Sequence, residues 1–292
     1  MPITPQRSRA IFQKLERDLI KLSAKPRAEN VHGFRTATRR LQVLLGDLSP
    51  KLARSHKKLL KMLGRIRKRA GKVRDLDVQL SALRSLKVSK EARSKTELVK
   101  GLIESRGKQE KKLRKIVDGA SVREIRKRLK RAGKEFNPEK SLDPLLVARG
   151  ILEPLQLEDA PLTEALLHRY RLLTKRARYA AEFADESAES SQFIADVKKI
   201  QDAVGNWHDW FTLAQTARQN KTVLATELNK VTGTKFRHAV ALLSQLRAKA
   251  AAERAHPLQV SHRAKAPDAT AGTTASPSPH STSAARHSAP AA

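Results

Sequence analysis

The chain contains no cysteine in 292 residues, which excludes disulfide staples and thiolate metal sites. Aromatic residues make up only 4%, which disfavours a platform on which single-stranded nucleic-acid bases would stack. Glycine and proline are sparse before residue 257 and no run alternates with period two, so strands have no signature. No stretch approaches the roughly 20 apolar residues of a membrane span. The amino terminus, MPITPQRSRAIFQKLERDLIKL, carries charges where a secretory leader has an apolar run. These absences give the expectation of a cytoplasmic protein with no membrane insertion. Acidic residues are scarce too: 60 Lys+Arg face 29 Asp+Glu, a net charge of +31. That imbalance strains a compact state by self-repulsion and points to a polyanionic partner, whether nucleic acid, an anionic membrane surface or a phosphate polymer.

What is present reads as helix nearly throughout. Thr4-Pro5 opens a helix to about Lys25, with threonine as N-cap and proline at the first helical position. Asn30 is the expected cap of a second helix ending near Gly46. Lys51–Ala70 follows, with a break expected at Gly71 and a short helix over Arg74–Leu86. Lys90–Val117 and Ser121–Ala132 complete the first half. Asn137-Pro138 and Asp143-Pro144 mark the least regular interior stretch, where two halves, about 4–140 and 141–255, are expected to join. Leu162–Asp185, Ala188–Val204, a break at Gly205, Trp207–Gln219 and Thr222 to about Arg254 form the second half. The Ala/Ser/Pro/Thr-rich tail, 257–292, is expected to be disordered, and its net charge is only +2 (Arg263, Lys265 and Arg286 against Asp268).

The halves repeat. Residues 31–45, VHGFRTATRRLQVLL, align without a gap on 167–181, LHRYRLLTKRARYAA. His32/His168, Arg35/Arg171, Thr38/Thr174 and Arg40/Arg176 are identical; Phe34/Tyr170 and Arg39/Lys175 are chemically equivalent. A second pair of segments, 63–80 and 197–214, shares Ile66/Ile200, Gly71/Gly205 and Asp75/Asp209. The two offsets, 136 and 134, are nearly equal and in order, which argues for one structural unit built twice.

The repeat carries a histidine-and-arginine line as well as an apolar pattern. At about 100° per residue, Phe34, Ala37, Thr38, Leu41, Leu44 and Leu45 share one helix face, while His32, Arg35 and Arg39 lie opposite. In the second copy Leu166, Tyr170, Leu173, Ala177 and Ala180 face inward and His168, Arg171, Lys175 and Arg178 outward. Like charges stacked along a helix cost a few tenths of a kcal/mol per pair. A polyanion turns that cost into charge-assisted hydrogen bonds to its phosphate oxygens. A histidine among these arginines is expected to have a depressed pKa. A single basic face is usually solvated surface, and Arg123, Lys127, Lys130 and Lys134 read that way. Asp75 and Asp209 read as carboxylates that orient a neighbouring arginine by an ion pair. Trp207, Trp210 and Phe211 are spaced as core residues.

With VHGFRTATRRL, GKVRDLDVQL, LHRYRLLTKRARYA and IQDAVGNWHDW in order, the chain over about residues 4–255 resembles the CHAD, or conserved histidine α-helical, domain. The resemblance implies an all-α fold of two antiparallel helical bundles related by an internal duplication with pseudo-twofold symmetry. It also implies binding of inorganic polyphosphate, often on polyphosphate granules. Carried onto this chain, the binding positions are His32, Arg35, Arg39, Arg40, His168, Arg171, Lys175, Arg176 and Arg178, with Arg65, Arg69, Lys72, Lys198 and Lys199 from adjoining helices. The second half departs from the first in reading His208-Asp209-Trp210-Phe211 where Arg74-Asp75-Leu76-Asp77 stands. The Glu-x-Glu-x-Lys strand signature of triphosphate tunnel domains, to which some members are fused, does not occur.

The sequence therefore leads to a non-enzymatic polyphosphate-binding protein, with no catalytic residue, cofactor or metal expected. The alternative is a nucleic-acid-binding protein that contacts phosphates without sequence specificity; no major-groove reader module is recognisable. A phosphate-ester or anhydride hydrolase would need a phosphate loop or a carboxylate cluster, and neither occurs.

Overall fold

The computed structural model describes residues 3–49, 51–88, 91–138, 142–156 and 160–255. The tail expectation, 257–292, lies outside them. The described residues form nine α-helices and no strand: α1 Pro5–Ala24, α2 Ala28–Gly46, α3 Arg54–Ser85, α4 Ala92–Arg114, α5 Gly119–Glu135, α6 Pro144–Gln156, α7 Glu164–Ala181, α8 Ala188–Gln219 and α9 Leu224–Ala255. The fold is all-α.

The duplication is visible in the packing. In the first half α1 packs on α2, α2 on α3 and α3 on α4; in the second α6 packs on α7, α7 on α8 and α8 on α9. The halves meet through like helices, α2 with α7 and α3 with α8, as a twofold arrangement of two copies requires. Helix α5 has no counterpart and packs on α1 and α3. The apolar stripes read from the sequence are buried: Phe34, Ala37, Leu41, Leu44 and Leu45 on α2, and Leu166, Tyr170, Ala177 and Ala180 on α7. They join one core that runs through both halves. A smaller cluster, built on Leu80, Leu83, Leu98, Leu213 and Leu224, closes the far ends of α3 and α8.

Several boundaries differ from the sequence reading, each for a local reason. Neither glycine break exists: α3 and α8 each run 32 residues through Gly71 and Gly205. An interior glycine costs a helix about 1 kcal/mol relative to alanine, less than the packing of two long helices restores. Asn30 lies inside α2, which begins at Ala28. Its amide instead donates to the carbonyls of Lys25 (2.7 Å) and Lys21 (3.3 Å), closing the end of α1. Helix α6 occupies a stretch assigned only as a joint. Pro144 opens it, and the Asp143 carboxylate accepts from the Leu145 amide at 2.9 Å. The Thr4 cap stands as expected, accepting from the Arg7 amide at 3.3 Å.

Candidate anion-binding cleft

Helices α2 and α7 pack on each other, and the cations of their polar faces lie close enough to act on one another. Arg35 and Arg39 on α2 and Arg171 and Lys175 on α7 are all half-buried. Arg39 and Lys175 line an open cleft of about 360 Å³ with Arg67, Arg176, Asp47, Gln42 and Tyr179. His32 and His168 stand exposed one turn or more toward the helix starts.

The electrostatics are those of cations crowded together and partly stripped of water. Burial, then Arg171 and Arg39, push the Lys175 ammonium down to about 7. Burial is also the first cause for Arg35, lowered to about 10 against the pull of Asp75, with Arg39, Arg67 and Arg171 adding repulsion. Arg67 and Arg171 are lowered for the same first reason, and Arg39 is a further cause in both. His32 is lowered by burial, then by Arg74, Arg35, Lys175 and Arg178. His168 is lowered by burial, then by His208, Arg171 and Lys175. The depressed histidines expected from the sequence are therefore present, with desolvation ahead of neighbouring charge.

Little inside the protein answers these cations. Asp75 and Asp209 act on Arg35, Arg171 and Lys175 through space. Neither forms an ion pair with an arginine within 4.0 Å among the described residues; Asp209 stands 3.7 Å from His208 Nδ1. The expected orienting ion pair is absent, and each carboxylate offsets the cluster as a whole. The Nε donors of Arg67 and Arg171 are buried without an acceptor, an arrangement that an anion's oxygens would complete.

Other members of the expected set are tied to carboxylates or lie outside the cleft. Arg40 and Arg176 are tied across the halves, each to a carboxylate at the end of the opposite helix. Arg40 Nε donates to Glu182 at 2.7 Å and Arg176 Nε to Asp47 at 2.7 Å. These reciprocal pairs hold α2 against α7 and consume the two arginines' charge. Arg178 shares Glu182 at 3.5 Å and lies over the Tyr179 ring, 5.1 Å from its centre. Arg65, Arg69 and Lys72 lie on the opposite face of α3 from Arg67, in a separate groove with Lys68 and Ile116. Lys198 and Lys199 are exposed on α8, and Lys199 pairs with Asp196 at 3.2 Å. Thr38 and Thr174, identical in the repeat, are buried, and the Thr174 hydroxyl donates to the Tyr170 carbonyl at 2.7 Å.

The structure adds residues that the sequence reading passed over. Arg67, Gly71 and Arg74 share the α3 face that adjoins α2. Arg35 Nη1 donates to the Arg67 carbonyl at 3.3 Å and lies against Gly71, where a Cβ would overlap it. Glycine leaves room for that placement of the Arg35 guanidinium; no turn calls for it here. Arg74 reaches His32 electrostatically. At the matching position in the second half, the His208 ring centre lies 5.5 Å from that of His168. The signal was in the repeat, which pairs Gly71 with Gly205 and Arg74 with His208.

Comparison with known proteins agrees with this architecture. The chain resembles the crystal structure of the CHAD domain from the plant Ricinus communis, with a TM-score of 0.55 and 18% identity over 86% of this chain and 89% of that one. At that identity the likeness speaks for the fold. A search of curated proteins gives no match. Among the described residues no helix is long and apolar enough to cross a membrane. The CHAD domain family matches residues 8–218, a span that includes both His/Arg helices and both glycine-bearing helices, and the chain belongs to that family.

Proposed function

We propose that this protein binds inorganic polyphosphate, without chemistry, along the cleft between α2 and α7. The observation that carries the reading is the cation cluster itself. Arg35, Arg39, Arg67, Arg171 and Lys175 converge from three helices and both copies of the repeat, with Asp75 and Asp209 as the carboxylates acting on them. Such a cluster is unfavourable when empty, and each phosphate that enters restores charge balance and fills guanidinium donors. A linear polymer with a charge on every unit matches a cleft whose cations repeat along two helices. The protein acts in the cytoplasm, on polyphosphate granules where those are present.

Nucleic-acid backbone is the competing ligand. Trp207 is 1% exposed and packs against Phe211 and Phe236, so its ring offers no stacking surface to a base. Competition decides between the two. Labelled polyphosphate is displaced by unlabelled polyphosphate, duplex DNA or single-stranded RNA near physiological salt, using the wild type and a His32/Arg35/His168/Arg171→Ala variant checked for its melting transition. Polyphosphate is expected to displace best and the variant to bind more weakly than the wild type. Equal displacement by nucleic acid, or an unaffected variant, overturns the reading.

A further inference from the structure

We propose a second phosphate-chain site on the outer face of α3, in the groove formed by Arg65, Lys68, Arg69, Lys72 and Ile116; it rests on the polyphosphate reading of the central cleft. The groove has a volume of about 340 Å³. Along an α-helix at about 1.5 Å per residue, Arg65 to Lys72 spans roughly 10 Å. The four cations point away from Arg67, Gly71 and Arg74, which serve the central cleft from the other side of the same helix. One helix therefore presents basic surface to two separate grooves.

Three observations distinguish this groove from ordinary basic surface. First, none of its four cations forms an ion pair or a side-chain hydrogen bond with a described residue. On the neighbouring basic helix α5, by contrast, three arginines are paired: Arg126 with Glu16 at 2.9 Å, Arg128 with Glu124 at 2.6 Å and Arg131 with Glu135 at 2.6 Å. Secondly, the four lie in a concavity, with Arg69 half-buried against the packed, partly buried Ile116. Their charges converge on one volume. Thirdly, the duplicated helix lacks the feature. At the matching offset α8 carries Lys199, Asp202, Ala203 and Asn206, and Lys199 is already paired with Asp196. The groove belongs to the first copy alone.

Guanidinium forks and ammonium groups at this spacing suit successive phosphates of one linear chain. A long polyphosphate would engage both grooves, and short chains would fill them independently.

Calorimetric titration with short-chain polyphosphate tests this. The wild type is compared with an outer variant, R65S/K68S/R69S/K72S, and a central variant, R171A/K175A, all checked by circular dichroism and melting. The expected result is two chains per wild-type protein, and one per molecule of either variant. With long-chain polyphosphate, the outer variant should flatten the dependence of log affinity on log salt by about 3, since each phosphate contact on a single-stranded polyanion contributes about 0.7. One chain per wild-type protein, with the outer variant unchanged, overturns the groove and leaves the central cleft standing. Loss of all binding in the outer variant, with the central variant unaffected, overturns the central reading and retains the groove. No binding by the wild type overturns both.

Discussion

Residues 4–140 hold 41 Lys+Arg against 14 Asp+Glu, a net +27, whereas residues 141–255 hold 16 against 14, a net +2. The halves nevertheless supply the central cleft and its mouth almost evenly: His32, Arg35, Arg39, Arg67 and Arg74 from one, His168, Arg171, Lys175 and His208 from the other. The surplus therefore lies outside the cleft, on the outer surfaces of the first half, including the α3 groove. Global charge and local site are thus separate quantities in this molecule. The first sets long-range attraction and its sensitivity to salt. The second sets where phosphates are held.

If the cleft is matched across the repeat, Arg35→Ala and Arg171→Ala should weaken polyphosphate binding to a similar degree. Each loses charge-assisted hydrogen bonds of about 1.5–3 kcal/mol, or roughly 10- to 100-fold in affinity. Fluorescence anisotropy with labelled polymer measures both, and a large inequality would break the comparison.

Next in size is the effect of pH. Lys175, at about 7, and His32 and His168, below their ordinary value, are partly neutral in the empty cleft. A polyanion favours their charged forms, so binding takes up protons and tightens as pH falls. We expect about a tenfold gain between pH 8.5 and 6.5, the linkage expected of roughly one proton over part of that range. Calorimetry in buffers of different ionisation enthalpy reads the proton uptake directly.

The same lysine allows stability and binding to be set against each other. Its folded pKa lies below its unfolded value, so its charge destabilises the empty protein fully below about pH 7, and that cost fades as pH rises toward 10.5. Lys175→Met should raise the stability of the free protein at pH 6 by about 1 kcal/mol or more, with a smaller gain at pH 9, while lowering polyphosphate affinity. Thermal melts at the two pH values check the sign. Arg39, its partner in the repeat, offers the comparison from the first half.

The smallest effects come from the paired glycines. A Cβ at Gly205 meets nothing within 4 Å, so Gly205→Ala should gain up to about 1 kcal/mol of helix stability without changing affinity. At Gly71 the new methyl displaces the Arg35 guanidinium from its place beside the Arg67 carbonyl. The same substitution there should keep stability at or above wild type and lower affinity several-fold. Equal behaviour of the two variants would mean that Arg35 acts equally well from another position.

Much of this was legible before any coordinates. The helical class follows from apolar spacing and from the absence of strand and membrane signatures. The repeat identified α2 and α7 as a pair, and separated their buried stripes from their cationic faces. Position along the chain could not distinguish partners on one helix. Arg39 and Arg40 are adjacent and both basic, yet about 100° of rotation sends one into the cleft and the other to Glu182. Arg65 and Arg67 divide in the same way between the two sides of α3.

The sequence alone determined an all-α, internally duplicated, strongly basic chain with histidine–arginine lines on both copies, because periodicity, repeats and charge are properties of residue order. Only the tertiary structure decided which cations meet. Packing α2 against α7 and α3 against α8 put Arg35, Arg39, Arg67, Arg171 and Lys175 into one poorly solvated space. It gave Arg40 and Arg176 carboxylates more than 120 residues away, and left Arg65, Lys68, Arg69 and Lys72 without any among the described residues. Electrostatic energy depends on distance and on lost water, and neither is written in the order of residues.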